Sequence, residues 1–337
     1  MLVDFVDFVG DAYAFLYSLS LEGLGVTTPN PNVSAAIYSP DGTLISSGFH
    51  NRAISPDHAE VVALKKAGAH SRGATIVVSL EPCAHTGTTP PCTQAILDAG
   101  IAKVIYAVKD PNPVAAGGAQ KLIDAEIEVQ YQPSAQLEFA QRAWLHKVST
   151  GMPLMVWKVA TTLDGKMAAN DGTSKWITNS ESRDDVQLLR AQSDAILIGT
   201  NTAIVDNPHL TPRGHSTRPV RIICGEQEVP PTHQIFDNQA KTISVKSKSI
   251  PELMTVLKDE GFNQVLVEAG PTFGSALMAS GNIDELIIYQ APKLLGSGKD
   301  FVNNLGIATL EDHIDLELLS VERIDDDIKS HYRVKGR

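Results

Sequence analysis

His58 and Glu60 stand two residues apart in "PDHAEVVAL", and Cys83 and Cys92 follow in "EPCAHTGTTPPC", so two of the three cysteines in the chain share one short, proline-rich loop. One imidazole and two thiolates are the protein ligands a catalytic zinc takes when its fourth position is left to water. Glu60 is then a carboxylate beside that water, placed to take a proton from it and deliver it to a leaving amine. The order matches the zinc nucleobase-deaminase signature of H-x-E followed by P-C-x-x-C, with a longer loop between the cysteines. Each cysteine follows a proline where a helix is expected to start, and backbone N–H groups there favour thiolate over thiol. A His-x-Glu pair alone is common on solvated helices; the two cysteines in the right order give it meaning. A structural zinc would prefer a fourth protein ligand, for which His85 is available within the loop, but His85 fits better as a group facing a substrate.

The elements that must hold these residues follow from hydrophobic period and turn chemistry. An N-terminal helix over "MLVDFVDFVGDAYAFLYSLS" precedes "VSAAIYS" and "TLISSGFH", which are joined at Pro40–Gly42; Gly42 can take a positive φ there, so the pair reads as a hairpin. Helices are then expected over about Ala59–Gly68, Pro91–Ala99, Gly118–Ala125 and Gln136–Val148, interleaved with strands "TIVVSL", "KVIYAV" and "IEVQY". Strands alternating with helices of this length imply parallel pairing in an α/β sandwich. Gly151 and Pro153 both interrupt helix, which places a boundary in "STGMP" and predicts domains over 1–150 and 151–337. The second half begins again with strand "LMVWKVATT", a helix through "SRDDVQLLRAQ" and strands "AILIG" and "PVRIIC". It continues with a helix near Glu252–Asp259, strand "QVLVEAG", a helix after Pro271, strand "ELIIYQAP" and two final strands over Leu316–Val321 and His331–Val334.

At 337 residues the chain exceeds the size at which a single core stops growing, in keeping with two domains. It has 43% apolar and 20% charged residues and no apolar run long enough for a membrane span. Asp4, Asp7 and Asp11 occupy positions where a secretory signal would carry basic residues, and three cysteines suit a reducing compartment, so the expected location is cytoplasmic. A net charge of -11 has the wrong sign for holding a phosphate backbone, which excludes nucleic acid and favours a small-molecule partner. Homo-oligomerisation is compatible with the sequence.

"TTPNPNV", "HAEVVAL", "EPCAHTGTTPPC" and "KDPNP", then "KVATTLDGKMA", "SKWITN", "DDVQLLRAQSDAILIGTNTAIVDNPHLT", "VEAGPT" and "DELIIYQAPKLLG", resemble the bifunctional riboflavin-biosynthesis deaminase/reductases. The resemblance runs through nearly the whole chain with both domains in the family's order. It implies a cytidine-deaminase-like three-layer domain followed by a dihydrofolate-reductase-like domain. It also implies two steps on a ribosylaminopyrimidine 5′-phosphate: zinc-dependent hydrolytic deamination, then NADPH-dependent reduction of the ribosyl side chain to ribityl. Carried over residue by residue, His58, Cys83 and Cys92 bind one zinc per chain and Glu60 shuttles protons, while Asn30 and His50 contact substrate. In the second domain Ala160, Trp176, Thr202, Asp206 and the turn Gly270, Pro271, Thr272, Phe273, Gly274 and Ser275 fall on cofactor positions. Ser174, Arg190, Leu210, Arg213 and Glu268 fall on substrate positions, and Lys158 and Asp206 lie near the reacting sugar.

The residues of the second set make physical sense in these roles. Gly270 carries the chain from strand to helix, where backbone N–H groups can meet a phosphate. No G-x-G-x-x-G follows a strand, so a Rossmann reading has no support. Arg190 and Arg213 suit a substrate phosphate because guanidinium makes paired hydrogen bonds to its oxygens. Hydride transfer needs little covalent help, so the domain has mainly to orient cofactor and sugar. Three positions depart from the family pattern: Thr88 where a basic residue is frequent, Ser34 in place of a glycine, and Gly225 in place of an aspartate. Cys224 reads as a buried strand residue. Two other functions compete with this one. A nucleic-acid-editing deaminase would need a basic groove, which the acidic balance opposes, and a non-catalytic zinc protein would have no use for Glu60 beside the metal.

Overall fold

The computed structural model describes residues 2–87 and 89–336, with side chains from residue 8 onward. Thr88 lies outside the described residues. The chain divides between Gly151 and Met152 into two compact units.

In the first unit α1 (Leu2–Leu21) leads to β1 (Ser34–Tyr38) and β2 (Leu44–Phe49), an antiparallel hairpin whose turn has Gly42 at φ 86. Then come α2 (Ala59–Ala67), β3 (Thr75–Val78), α3 (Cys92–Asp98), β4 (Lys103–Tyr106), α4 (Gly118–Asp124) and β5 (Glu128–Tyr131). The sheet order is β2-β1-β3-β4-β5. Only β3, β4 and β5 run parallel; β1 is antiparallel to both neighbours, because a tight hairpin reverses the chain before the first crossover. All five residues of β1 are buried, so both faces of the sheet are covered and the unit has three layers. Ile76, Ile105 and Ile96 are fully buried. Each contributes roughly 1.5–3 kcal/mol, and Ile96 pins the helix that Cys92 begins. The single helix expected over Gln136–Val148 is two, α5 (Ala135–Ala140) and α6 (Arg142–Thr150). The break is at Gln141, whose side-chain amide is buried and donates to the Ser79 carbonyl. α6 ends at Gly151, left-handed at φ 75, which stops the helix where a side chain would be strained.

The second unit holds β6 (Leu154–Thr162), β7 (Lys166–Ala168), α7 (Ser180–Ala191), β8 (Ala195–Gly199), α8 (Thr200–Asp206), β9 (Val220–Cys224) and β10 (Thr242–Val245). After these come α9 (Ile250–Asp259), β11 (Gln264–Val267), α10 (Pro271–Ala279), β12 (Glu285–Ala291), β13 (Lys299–Asp300), β14 (Leu316–Ile324) and β15 (Asp327–Val334). Its eight-stranded sheet runs β10-β9-β8-β11-β6-β12-β15-β14. The first six strands in that order are parallel and the last two antiparallel. Asn179 caps α7 by accepting the Ser182 N–H at 2.7 Å, and Ser249 caps α9 with Pro251 in the first turn. α8, β7, β10 and β13 were not expected: each is short, and tertiary pairing, not local pattern, makes it regular. Cys224 is buried on β9, as its sequence context predicts.

Candidate active sites

In the first unit His58 is the N-cap of α2, Glu60 lies in its first turn, and Cys92 opens α3. Cys83 is not at a helix start, contrary to expectation; it sits in the loop after β3. That loop is fixed by backbone bonds, with Thr93 N–H donating to the Cys83 carbonyl at 3.2 Å and Ala84 N–H to the Ala115 carbonyl at 3.2 Å. Gly118, unremarked in the sequence, is what lets α4 approach: a Cβ there would lie 1.7 Å from the Pro82 carbonyl oxygen. Glu81 completes the clamp by accepting the Ala119 N–H at 3.0 Å.

These elements bring His58 Nδ1 to 3.2 Å from Cys92 Sγ and 3.6 Å from Cys83 Sγ, and all three ligand atoms lie within 4.8 Å of one another. A tetrahedral zinc with ordinary bond lengths separates its N and S ligands by about 3.6 Å and its two S ligands by about 3.8 Å. The donor set and its spacing therefore fit zinc. His85 is not part of the cluster; it lines the same cavity, with Nδ1 buried and unpartnered. The Cys92 thiol, then the His58 ring and the Cys92 N–H, hold the Cys83 sulfur as thiolate and pull it down to about 4, against the opposing effect of burial. Glu60 is 3% exposed, and burial pushes its carboxyl above the usual carboxylate range.

The cavity beside this cluster is about 340 Å³ and includes Asn30 and His50. His50 Nδ1 lies 2.8 Å from the Asp57 carbonyl, which can only accept, so that nitrogen carries the proton and Nε2 accepts from the Asn30 amide at 3.0 Å. Burial keeps the ring neutral. Asp110, Asn112 and Trp144 also line the cavity and were not singled out from sequence; the "DPNP" turn was the available signal for the first two. Ser34 does not reach it: fully buried on β1, its hydroxyl donates to the Leu16 carbonyl.

The second unit has a wider cavity of about 760 Å³. Lys158 comes from β6, Glu268 from just beyond β11, and Arg190 from the last turn of α7. Val267 is in register with Trp157, so the next residues, Glu268 and Lys158, stand side by side. Lys158 Nζ is 3.2 Å from Glu268, and Arg190 grips both its carboxylate oxygens, at 2.5 and 2.9 Å. Burial alone would raise the Glu268 pKa, but Arg190 and then Lys158 outweigh it and hold the carboxyl well below its usual range. Arg190, read from sequence as a phosphate ligand, is thus already occupied by a carboxylate. Arg213 is exposed, its guanidinium without an ion pair among the described residues.

α8 and the loop after it place Thr202, Asp206 and Leu210 on the same wall, with Leu210 buried at φ 56, a conformation a leucine adopts only under constraint. Ala160, Ser174, Trp176 and Gly270 line it too. Trp176 is 64% exposed and carries the Arg183 guanidinium 4.6 Å from its ring centroid. The turn after Gly270 does not follow as a block. Pro271, Thr272 and Phe273 are not on the cavity wall, and Gly274 and Ser275 are turned into the core. A Cβ on Gly274 would meet Trp157 at 2.1 Å, so that glycine serves helix–sheet packing. Tyr289, missed in the sequence, lines the cavity while its hydroxyl donates to Asp185, which Lys329 also holds at 2.8 Å.

Residues 11–108 match the cytidine and deoxycytidylate deaminase zinc-binding region, and residues 153–330 match the RibD C-terminal domain. The riboflavin biosynthesis protein RibD of Mycobacterium tuberculosis is 37% identical over 335 residues, covering 97% of this chain and 98% of its own; that of Escherichia coli is 37% identical over 95% of this chain and 98% of its own. Among solved structures, Acinetobacter baumannii RibD is 36% identical with a TM-score of 0.85, over 96% of this chain and 98% of its own. A Thermotoga maritima protein described as a diaminohydroxyphosphoribosylaminopyrimidine deaminase/5-amino-6-(5-phosphoribosylamino)uracil reductase is 31% identical with a TM-score of 0.87, over 96% of this chain and 97% of its own. With a cytidine-deaminase-like unit carrying a zinc-type ligand set, followed along the chain by a RibD reductase unit, the chain belongs to the RibD family of bifunctional riboflavin-biosynthesis deaminase/reductases.

Proposed function

We propose that the chain deaminates a 2,5-diamino-6-ribosylaminopyrimidinone 5′-phosphate in the unit before Gly151 and reduces the ribosyl side chain of the product to ribityl in the unit after it. The observation that carries this reading is the convergence of His58 Nδ1, Cys83 Sγ and Cys92 Sγ beside the buried Glu60. His58, Cys83 and Cys92 would hold zinc, which when bound supplies the Lewis acidity that makes a water nucleophilic near neutral pH. Glu60 takes a proton from the attacking water and returns it to the departing amine, so ammonia leaves as a neutral group. Asn30, its amide oriented by His50, and His85 hold the pyrimidine.

The second unit would hold NADPH, which when bound would supply a hydride to the sugar carbon that ring opening exposes. Thr202, Asp206, Trp176, Ala160 and Gly270 orient it, and Ser174, Leu210 and Arg213 hold the sugar phosphate. Opening the ribose ring leaves an oxygen that needs a proton. Lys158, steadied by Glu268, gives that proton. Arg190 contributes by fixing Glu268 and so the position of Lys158. The chain works in the cytoplasm, in keeping with three free cysteines, and no described helix is long and apolar enough to cross a membrane. Incubation with the diaminopyrimidine phosphate, with and without NADPH, while ammonia and NADPH oxidation are followed separately, tests both halves. Ammonia without NADPH and NADPH oxidation only after deamination are expected; no ammonia from zinc-loaded protein would overturn the reading.

A further inference from the structure

The cavity beside the His58, Cys83 and Cys92 cluster is lined by three carboxylates, Glu60, Glu81 and Asp110. Among its described lining residues one side chain carries a fixed positive charge, Arg52. A substrate bearing a phosphate dianion is repelled by that wall unless a cation receives it, and in a partly enclosed cavity such forces are weakly screened. We infer that Arg52 takes the 5′-phosphate during deamination and makes the first site selective for the phosphorylated substrate. This rests on the substrate proposed above.

Arg52 is available for the task. Two of the lining carboxylates are engaged by backbone: Glu81 accepts the Ala119 and Asp110 N–H groups at 3.0 and 3.5 Å, and Asp110 accepts the Asn112 N–H at 2.8 Å. Arg52 itself has no ion pair among the described residues and is exposed, which places its guanidinium at the rim of the cavity, away from the buried cluster that must meet the pyrimidine. Its backbone is held as well. Arg52 N–H donates to the Val26 carbonyl at 3.2 Å, and the Ile54 and Ser55 N–H groups donate to the Asn51 carbonyl at 3.1 and 3.0 Å, closing a turn two residues beyond His50. The planar guanidinium fork pairs two donors with two phosphate oxygens, which an ammonium cannot match.

The test compares ammonia release from the phosphorylated substrate and from its dephosphorylated riboside, in wild type, Arg52→Ala and Arg52→Lys, with zinc content as the check on folding. Wild type should prefer the phosphate ester in kcat/KM by about 10-fold or more, the scale of one charge-assisted pair of hydrogen bonds. Arg52→Ala should lose that preference through KM with kcat little changed, and Arg52→Lys should recover part of it. Inorganic phosphate should compete with substrate in wild type and not in Arg52→Ala. If Arg52→Ala keeps the full preference, or wild type shows none, the assignment of Arg52 is overturned while deamination stands. If zinc-loaded wild type releases no ammonia from either compound, it is the substrate reading that fails, and the inference falls with it.

Discussion

The two cavities solve different problems with different materials. The first, about 340 Å³, gathers its reactive groups from one short stretch of chain, and its chemistry needs particular atoms: two sulfurs, one imidazole nitrogen and a buried carboxylate. The second, about 760 Å³, draws Lys158, Arg190, Asp206 and Glu268 from four separate places along the chain, and two of its cations, Lys158 and Arg190, share the one carboxylate of Glu268. A site that makes a nucleophile must concentrate chemistry, whereas one that passes a hydride from a cofactor must concentrate shape. Substitutions at the first site should therefore remove a reaction outright, and substitutions at the second should degrade geometry.

The sharpest break in this contrast comes from Cys92→Ala. It should empty the first site of zinc and bring ammonia release to background, because two remaining ligands do not complete a catalytic set; metal analysis beside an ammonia assay checks both. Stoichiometric zinc in an active Cys92→Ala protein would dismantle the site. Glu60→Gln comes next. Its zinc should remain, but deamination should fall roughly 100-fold to 10,000-fold, since an amide carries no proton between water and amine. Supplied with already deaminated substrate, this protein should oxidise NADPH at close to the wild-type rate; a matching loss of reduction would mean the two sites are not independent.

In the second unit, Glu268→Gln should lower stability to urea by about 3–5 kcal/mol, the cost of leaving buried Arg190 and Lys158 charges without their carboxylate. The pH dependence of that difference has a definite sign. Glu268 has its pKa lowered in the folded chain, so its contribution is complete above the unfolded carboxyl value of about 4.3 and disappears as pH falls through the folded value. Wild type and Glu268→Gln should thus differ by a constant amount from neutrality down to about pH 5, and converge only in stronger acid. A difference that vanishes between pH 7 and 5 would point to another group. The smallest effect is expected of Asp206→Asn, an exposed side chain: NADPH oxidation should slow about 10-fold, in the rate constant as well as in KM, while ammonia release continues.

The contrast also explains which parts of the molecule could be read without coordinates. His58, Glu60, Cys83 and Cys92 were legible because cysteine is scarce here and the order of the four is restrictive. The pairing of Arg190 with Glu268 was not legible. The two residues are far apart in sequence, and an arginine at a helix end looks the same whether it awaits a phosphate or holds a carboxylate. The packing role of Gly274 was hidden for the same reason, since it is small because of Trp157, a contact between a helix and a strand of distant origin.

By itself the sequence determined the alternation of strands and helices, the break near Gly151, and the identity of the metal-type ligands, because hydrophobic period, turn chemistry and donor type are local properties of the chain. Only the tertiary structure decided the antiparallel placement of β1 within its sheet, the close approach of Gly118 to Pro82 that holds the Cys83 loop, and the short elements α8, β7, β10 and β13. It also decided which cations are spent on carboxylates, engaging Arg190 and Lys158 and leaving Arg52 and Arg213 without an ion pair among the described residues. The physical reason is that pairing between charges, and the packing that permits it, depends on distances across the fold that no local pattern encodes.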